Sequence, residues 1–255
     1  MTEGRKSIPE TIKHRVRQKC GFGCIFCGLP FFQYDHLLEQ AQGGEDTEEN
    51  LNLLCANHHD LKTRGQISRD AVKQRSLNPV NKSRERTAGM PLLIPNSTAI
   101  FEIGPIIFEH EFEVMKSPFR AIEIGGRDFV SGDIEDGWLK FDATITNDWG
   151  FPLLTIESGE LHASTGVWDY NLVGPRIIIR EVRSQISVEL FIREDRISLT
   201  RGRFANGPLI VEVQPDRCIL GPDMFAPPML RPRQGPKNQL TGGHFKNNRV
   251  GVSYG

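Results

Sequence analysis

Two pairs of ligating residues, Cys24-x-x-Cys27 and Cys55-x-x-His58, constrain this chain more than any other feature. A Cys-x-x-Cys turn sets two thiolates on one side of a tetrahedral site, and residues three apart on a helix share a face. Cys24, Cys27, Cys55 and His58 thus form a closed Cys3His set for one structural Zn²⁺. A segment this short buries little apolar area, so a metal supplies stability that its core lacks. Four of the five cysteines lie within the first 55 residues, an uneven usage that favours metal binding over a disulfide framework. Cys20 and Cys218 are expected to be buried thiols. The first residues read as polar, without the apolar core of a secretion leader, and no apolar run is long enough to span a bilayer. A cytoplasmic protein without membrane contact is the expectation.

The chain divides by pattern. Residues 1–77 hold a helix from about Ser7 to Lys19, with Ser7 and Glu10 at capping-box spacing and Pro9 in its first turn. A strand over about Phe31 to Leu38, a Gly43-Gly44 loop, a helix from Cys55 to about Thr63 and an amphipathic stretch over Ile67 to Arg75 follow. Residues 78–92 are polar and basic and read as a linker. From 93 to 221 the period changes to two: Leu139, Phe141, Ala143 and Ile145 alternate with polar residues, and turn signals recur at Gly125-Gly126, Asn147-Asp148 and Ser158-Gly159. Short alternating strands with regular turns predict an all-β sandwich or barrel. Residues 222–255 are rich in Pro and Gly, with Arg231, Arg233, Lys237, Lys246 and Arg249 against Asp223. They are expected to be an irregular basic tail. The fold class expected is α+β, a small metal-stabilised unit followed by an all-β region. Net charge is −1, so no global field draws in nucleic acid.

A second set of residues has no use in a zinc clamp. Asp35-His36 follow the apolar strand, Asn50 precedes the Leu51-x-Leu53-Leu54-Cys55 run, and His59 adjoins His58. Adjacent helical residues point about 100° apart. One of the two histidines can face the zinc while the other faces a different site. Lys62 and Arg64 follow on the same helix.

The segment from Cys20 to Thr63 resembles the HNH endonuclease family, of the ββα-metal fold. The resemblance runs through Cys24-x-x-Cys27, Asp35-His36, Gly43-Gly44, Asn50-Leu51, Leu54-Cys55 and His59-x-x-Lys62. This chain has His58 where many zinc-bearing members have Cys, an exchange that zinc accepts. The resemblance implies that His36 is the general base, that Asn50 holds the loop orienting it, and that Asp35 and His59 ligate a catalytic divalent ion. That ion would be Mg²⁺, or another such as Mn²⁺ or Ni²⁺. A histidine with an ordinary pKa of about 6.5 suits proton abstraction near neutrality. Lys62 and Arg64 would contact backbone phosphates of DNA. The implied activity is metal-dependent hydrolysis of DNA phosphodiesters. By analogy of architecture, the chain would be a bacterial restriction or phage-defence effector whose β region binds a ligand or protein for regulation or specificity. A homodimer is the expected assembly, since two centres cut two strands. The competing reading is a zinc-stabilised nucleic-acid-binding module without catalysis.

Overall fold

The computed structural model describes residues 7–92, 98–111, 118–135, 138–194, 196–222, 238–240, 243–246 and 250–254. Its N-terminal part is a small α/β unit and its larger remainder is all β. The unit runs α1 (Glu10–Lys19), β1 (Gln33–His36), β2 (Leu51–Leu54), α2 (Ala56–Thr63) and α3 (Arg69–Leu77). β1 and β2 pair antiparallel with Asp35 opposite Asn52 and His36 opposite Leu51. Leu51, Leu53 and Leu54 are fully buried with Val16, Cys20, Cys24, Ile25 and Val72. Each such aliphatic side chain contributes about 2 kcal/mol by leaving water.

The capping box expected at Ser7 does not form. α1 begins after Pro9, whose extended backbone makes it the N-cap without a side-chain bond, and the Glu10 carboxylate reaches Arg17 instead. α3 does start on a side-chain cap, with Ser68 Oγ accepting from the Ala71 amide.

The β region contains two sheets around a shared core. One orders its strands as 250–254, 119–124, 127–135, 138–146, 152–157, 160–163 and 90–91. The other runs from 169–173 through 176–180, 188–192, 196–206, 209–214 and 217–222 to 238–240, with 98–103, 106–111 and 243–246 attached beside it. Phe101 of the second stacks on Phe141 of the first at 4.4 Å. The expected alternation holds over 141–145, where Phe141, Ala143 and Ile145 are buried and Asp142 is exposed.

Two expectations need correction. Residues 78–92 are structured and do not form a free polar linker. Asn81 is buried and donates to the carbonyls of Gly21 and Gly28, and Met90–Pro91 pairs with the strand at 160–163. The described pieces of the tail are strands: 238–240, 243–246 and 250–254 pair with 217–222, 106–111 and 119–124 respectively. Open sheet edges supply the backbone partners that local composition did not reveal. Residues 223–237, with Arg231, Arg233 and Lys237, lie outside the described residues, as does Arg249. No helix among the described residues is long and apolar enough to cross a membrane.

The unit and the β region are in contact. Phe22 belongs to the β region's core, with Phe31 and Phe32 packed against it. α1 lies along the strand at 169–173, where His14 stacks on Trp168 at 4.1 Å and Arg17 binds the Asp169 carboxylate.

Candidate active site and metal centre

The four predicted zinc ligands converge. Their donor atoms all lie within 4.8 Å of one another. Cys24 Sγ is 3.5 Å from His58 Nδ1, Cys55 Sγ is 3.1 Å from the same nitrogen, and Cys27 Sγ is 3.7 Å from Cys55 Sγ. A tetrahedral zinc with Zn–S of about 2.3 Å and Zn–N of about 2.0 Å separates ligand atoms by about 3.5 to 3.8 Å. The donor set therefore fits zinc in both chemistry and spacing. Local backbone explains the convergence. The turn between the first two cysteines closes on a Gly28 amide to Cys24 carbonyl bond of 2.7 Å, and Gly28 takes φ +83. A Cβ at Gly28 would stand 2.3 Å from Asn81 Oδ1. Cys55 is the N-cap of α2, which puts His58 one turn in and on the same face.

A hydrogen bond with Cys27 is the main cause that pulls the Cys24 thiol down to about 5, while its counterpart Cys27 is pushed up. Burial raises Cys55 as well. Cys27 and Cys55 thus keep protons that a bound cation would release. Cys20 stands apart: burial pushes its thiol up to about 11, consistent with a core thiol.

A second cluster lies across β1 and α2. The Asp35 side chain is 5% exposed, and His59 Nε2 stands 3.6 Å from its Oδ1. His58 and His59 thus diverge, one to the thiolates and one to the carboxylate. Cis ligands of an octahedral ion at about 2.1 Å lie about 3.0 Å apart. A small side-chain adjustment would bring Asp35 and His59 onto one ion. Lys62 occupies the same carboxylate, its Nζ donating to Asp35 Oδ1 at 2.9 Å, to Oδ2 at 2.7 Å and to the His36 carbonyl. Each carboxylate oxygen offers two lone-pair sites, so an ion and an ammonium can share it.

The long Lys62 stem turns inward, because the buried Asp35 carboxylate requires a counter-charge. Arg64 does face outward: its side chain is 69% exposed and paired with Asp60 at 2.8 Å.

His36 ends β1, and its Nε2 lies 2.8 Å from Asp46 Oδ1. A carboxylate only accepts, so this contact sets the Nε2–H tautomer and leaves Nδ1 as the basic nitrogen. Gln40 Nε2 donates to the same oxygen at 3.0 Å. Sequence reasoning missed Asp46, which sits among Glu45, Glu48 and Glu49 with nothing in its spacing to distinguish it. Asn50 bridges the two ends of the loop. Its Oδ1 accepts from the Leu38 amide, and its Nδ2 donates to the carbonyls of Leu38 and Glu45. The second loop glycine is sterically required, since a Cβ at Gly44 would fall 1.8 Å from the Leu38 carbonyl oxygen.

Residues 19–65 match the family model described as HNH endonuclease, and the rest of the chain matches no family model. No curated protein and no solved structure matches the chain.

Proposed function

We propose that the chain is a metal-dependent endonuclease that hydrolyses phosphodiester bonds in DNA. The observation that carries this reading is the His36–Asp46 contact beside the Asp35–His59 pair, a second constellation that a zinc clamp does not need. In this reading Cys24, Cys27, Cys55 and His58 hold a structural zinc. Asp35 and His59 hold a divalent ion, which supplies stabilisation of charge on the phosphate and the leaving 3′ oxygen. Nδ1 of His36 accepts the proton of the attacking water, and Asp46 holds the ring and stabilises the imidazolium that results. Asn50 keeps the loop of residues 38–45 in place so that Asp46 stays opposite His36. Lys62 fixes the Asp35-His36 dipeptide by gripping a side chain and a carbonyl, and Arg64 is the outward cation for a backbone phosphate. The reading extends to a restriction or phage-defence role, a regulatory or specificity function for the β region, a homodimer and a cytoplasmic location. These rest on architecture by analogy.

The test is nicking of supercoiled plasmid by wild type and His36→Ala with Mg²⁺, Mn²⁺ or Ni²⁺, each repeated with EDTA. Metal-dependent nicking that drops about a hundredfold or more in the variant is expected. Undiminished cleavage by His36→Ala would remove the assignment. A wild type that binds DNA with a steep salt dependence and cuts none would favour the non-catalytic module.

A further inference from the structure

We propose that Asp169, in the β region that matches no family, is a positioning residue for the His36 centre, acting through Arg17 and Tyr34. The catalytic consequence rests on the nuclease reading; the mechanical coupling does not.

Arg17 is 1% exposed. Its Nε and Nη2 donate to the two oxygens of Asp169 at 2.8 and 2.9 Å. A planar guanidinium held by such a fork is fixed in both position and rotation. Its Nη1 therefore has one direction, and the Tyr34 hydroxyl accepts from it at 2.7 Å. Nη2 also reaches Glu10 at 2.8 Å. Arg180 approaches the same Asp169 carboxylate at 4.0 Å. α1 is seated along the same strand by its neighbours, with Gln18 Nε2 donating to the Trp168 carbonyl at 3.0 Å and His14 Nε2 at 3.2 Å from it.

Tyr34 matters because of where it stands. It is two residues before His36 in a strand, so the two side chains leave β1 on one face. β1 has four residues and belongs to a two-stranded sheet with β2. A lone two-stranded ribbon is marginally stable and sets its own alignment poorly. The Arg17 fork gives it a third point of attachment, and that point is anchored in the β region. His36 is the last residue of β1, so tilting at Tyr34 is carried to the imidazole. Misplacing a catalytic group by an ångström costs on the order of a hundredfold in rate.

The test uses the full chain with zinc bound. Removing Asp169 alone would leave the buried guanidinium with only the exposed Glu10 carboxylate as its anion and endanger folding. The decisive variant is therefore the apolar pair Arg17→Met with Asp169→Leu, accompanied by Tyr34→Phe, which deletes only the last link. Amide hydrogen exchange is followed at residues 33–36, and kcat and KM are measured for plasmid nicking. The expected result is one zinc per chain, exchange in β1 faster by about tenfold or more, and kcat lower by about tenfold with KM nearly unchanged. Tyr34→Phe should shift both readouts in the same direction, and it decides the matter if the apolar pair does not fold. Wild-type exchange, or wild-type kcat in a folded variant, overturns the proposal. If the wild type itself nicks nothing, the nuclease reading fails separately, and exchange in β1 alone decides the coupling.

Discussion

At the scale of single residues, two cations two positions apart, and so on opposite sides of the helix end, face opposite fates. Lys62 is 11% exposed and tied to a buried carboxylate, whereas Arg64 is 69% exposed. Lys62→Ala leaves Asp35 buried without its counter-charge and should destabilise the fold by about 3 kcal/mol or more in chemical denaturation. Arg64→Ala should leave stability within about 0.5 kcal/mol and lower the slope of log K against log salt by about one in DNA binding. Equal effects of the two would contradict the geometry. Asp46→Asn keeps shape but replaces an acceptor by an amide that can present its donor side to the imidazole. Nicking should fall on the order of a hundredfold while zinc content stays at one per chain. An Asp46→Asn enzyme with wild-type kcat would show that Asp46 does not orient the base.

At the scale of elements, the four clustered Cys and His donors join the Cys24–Cys27 turn to the N-terminus of α2, and α2 carries both His59 and Lys62 to β1. Two short elements are thus held by one cluster and one ion pair. Chelation of the structural metal, or Cys55→Ser, should release α2, seen as lost helical circular dichroism and faster exchange at His59 to Thr63. Cys20→Ala should keep one zinc per chain, because Cys20 is not among the four clustered donors. The convergence of Cys24, Cys27, Cys55 and His58 was legible beforehand because ligand spacing and helical periodicity are local properties. His58 and His59 had to diverge on any helix. Asp46 was illegible because its partnership with His36 depends on how a ten-residue loop closes. The inward turn of Lys62 was illegible because a lysine near a helix end looks the same whether its stem turns outward or folds back onto a buried acid.

At the scale of the whole molecule, Phe22, Phe31 and Phe32 pack against the β core, and Arg17 reaches into it. A fragment ending at Met90 should therefore retain zinc but expose apolar surface, bind a hydrophobic dye and show less protection in β1 than the full chain. Equal protection in both would mean that the unit is autonomous. Buried acids also set a common response to alkali. Burial raises Cys20 from 9.0 to about 11, Cys218 from 9.0 to about 11 and Tyr34 from 10.0 to about 12. Each keeps its proton longer folded than unfolded, so its contribution is full below the unfolded value and is lost as pH rises through the folded one. These groups should thus make denaturation midpoints fall between about pH 9 and 12, by up to about 1.4 kcal/mol per unit for each group in its window. A stability that rises over that range would refute the assignment of these groups as buried.

What the sequence alone determined is the chemistry that local spacing carries: a Cys3His donor set, the ordered residues of the HNH resemblance, and a change of period that marks the β region. Those follow from the 3.6- and 2-residue repeats and from ligand geometry, which need only neighbours along the chain. Tertiary structure alone decided that Asn81 and Thr87 are buried, that 238–240, 243–246 and 250–254 are strands, that Asp46 faces His36 and that Asp169 grips Arg17. Each of those pairs residues whose meeting depends on how loops close and sheets stack, and their composition was compatible with solvent exposure until a partner came within bonding distance.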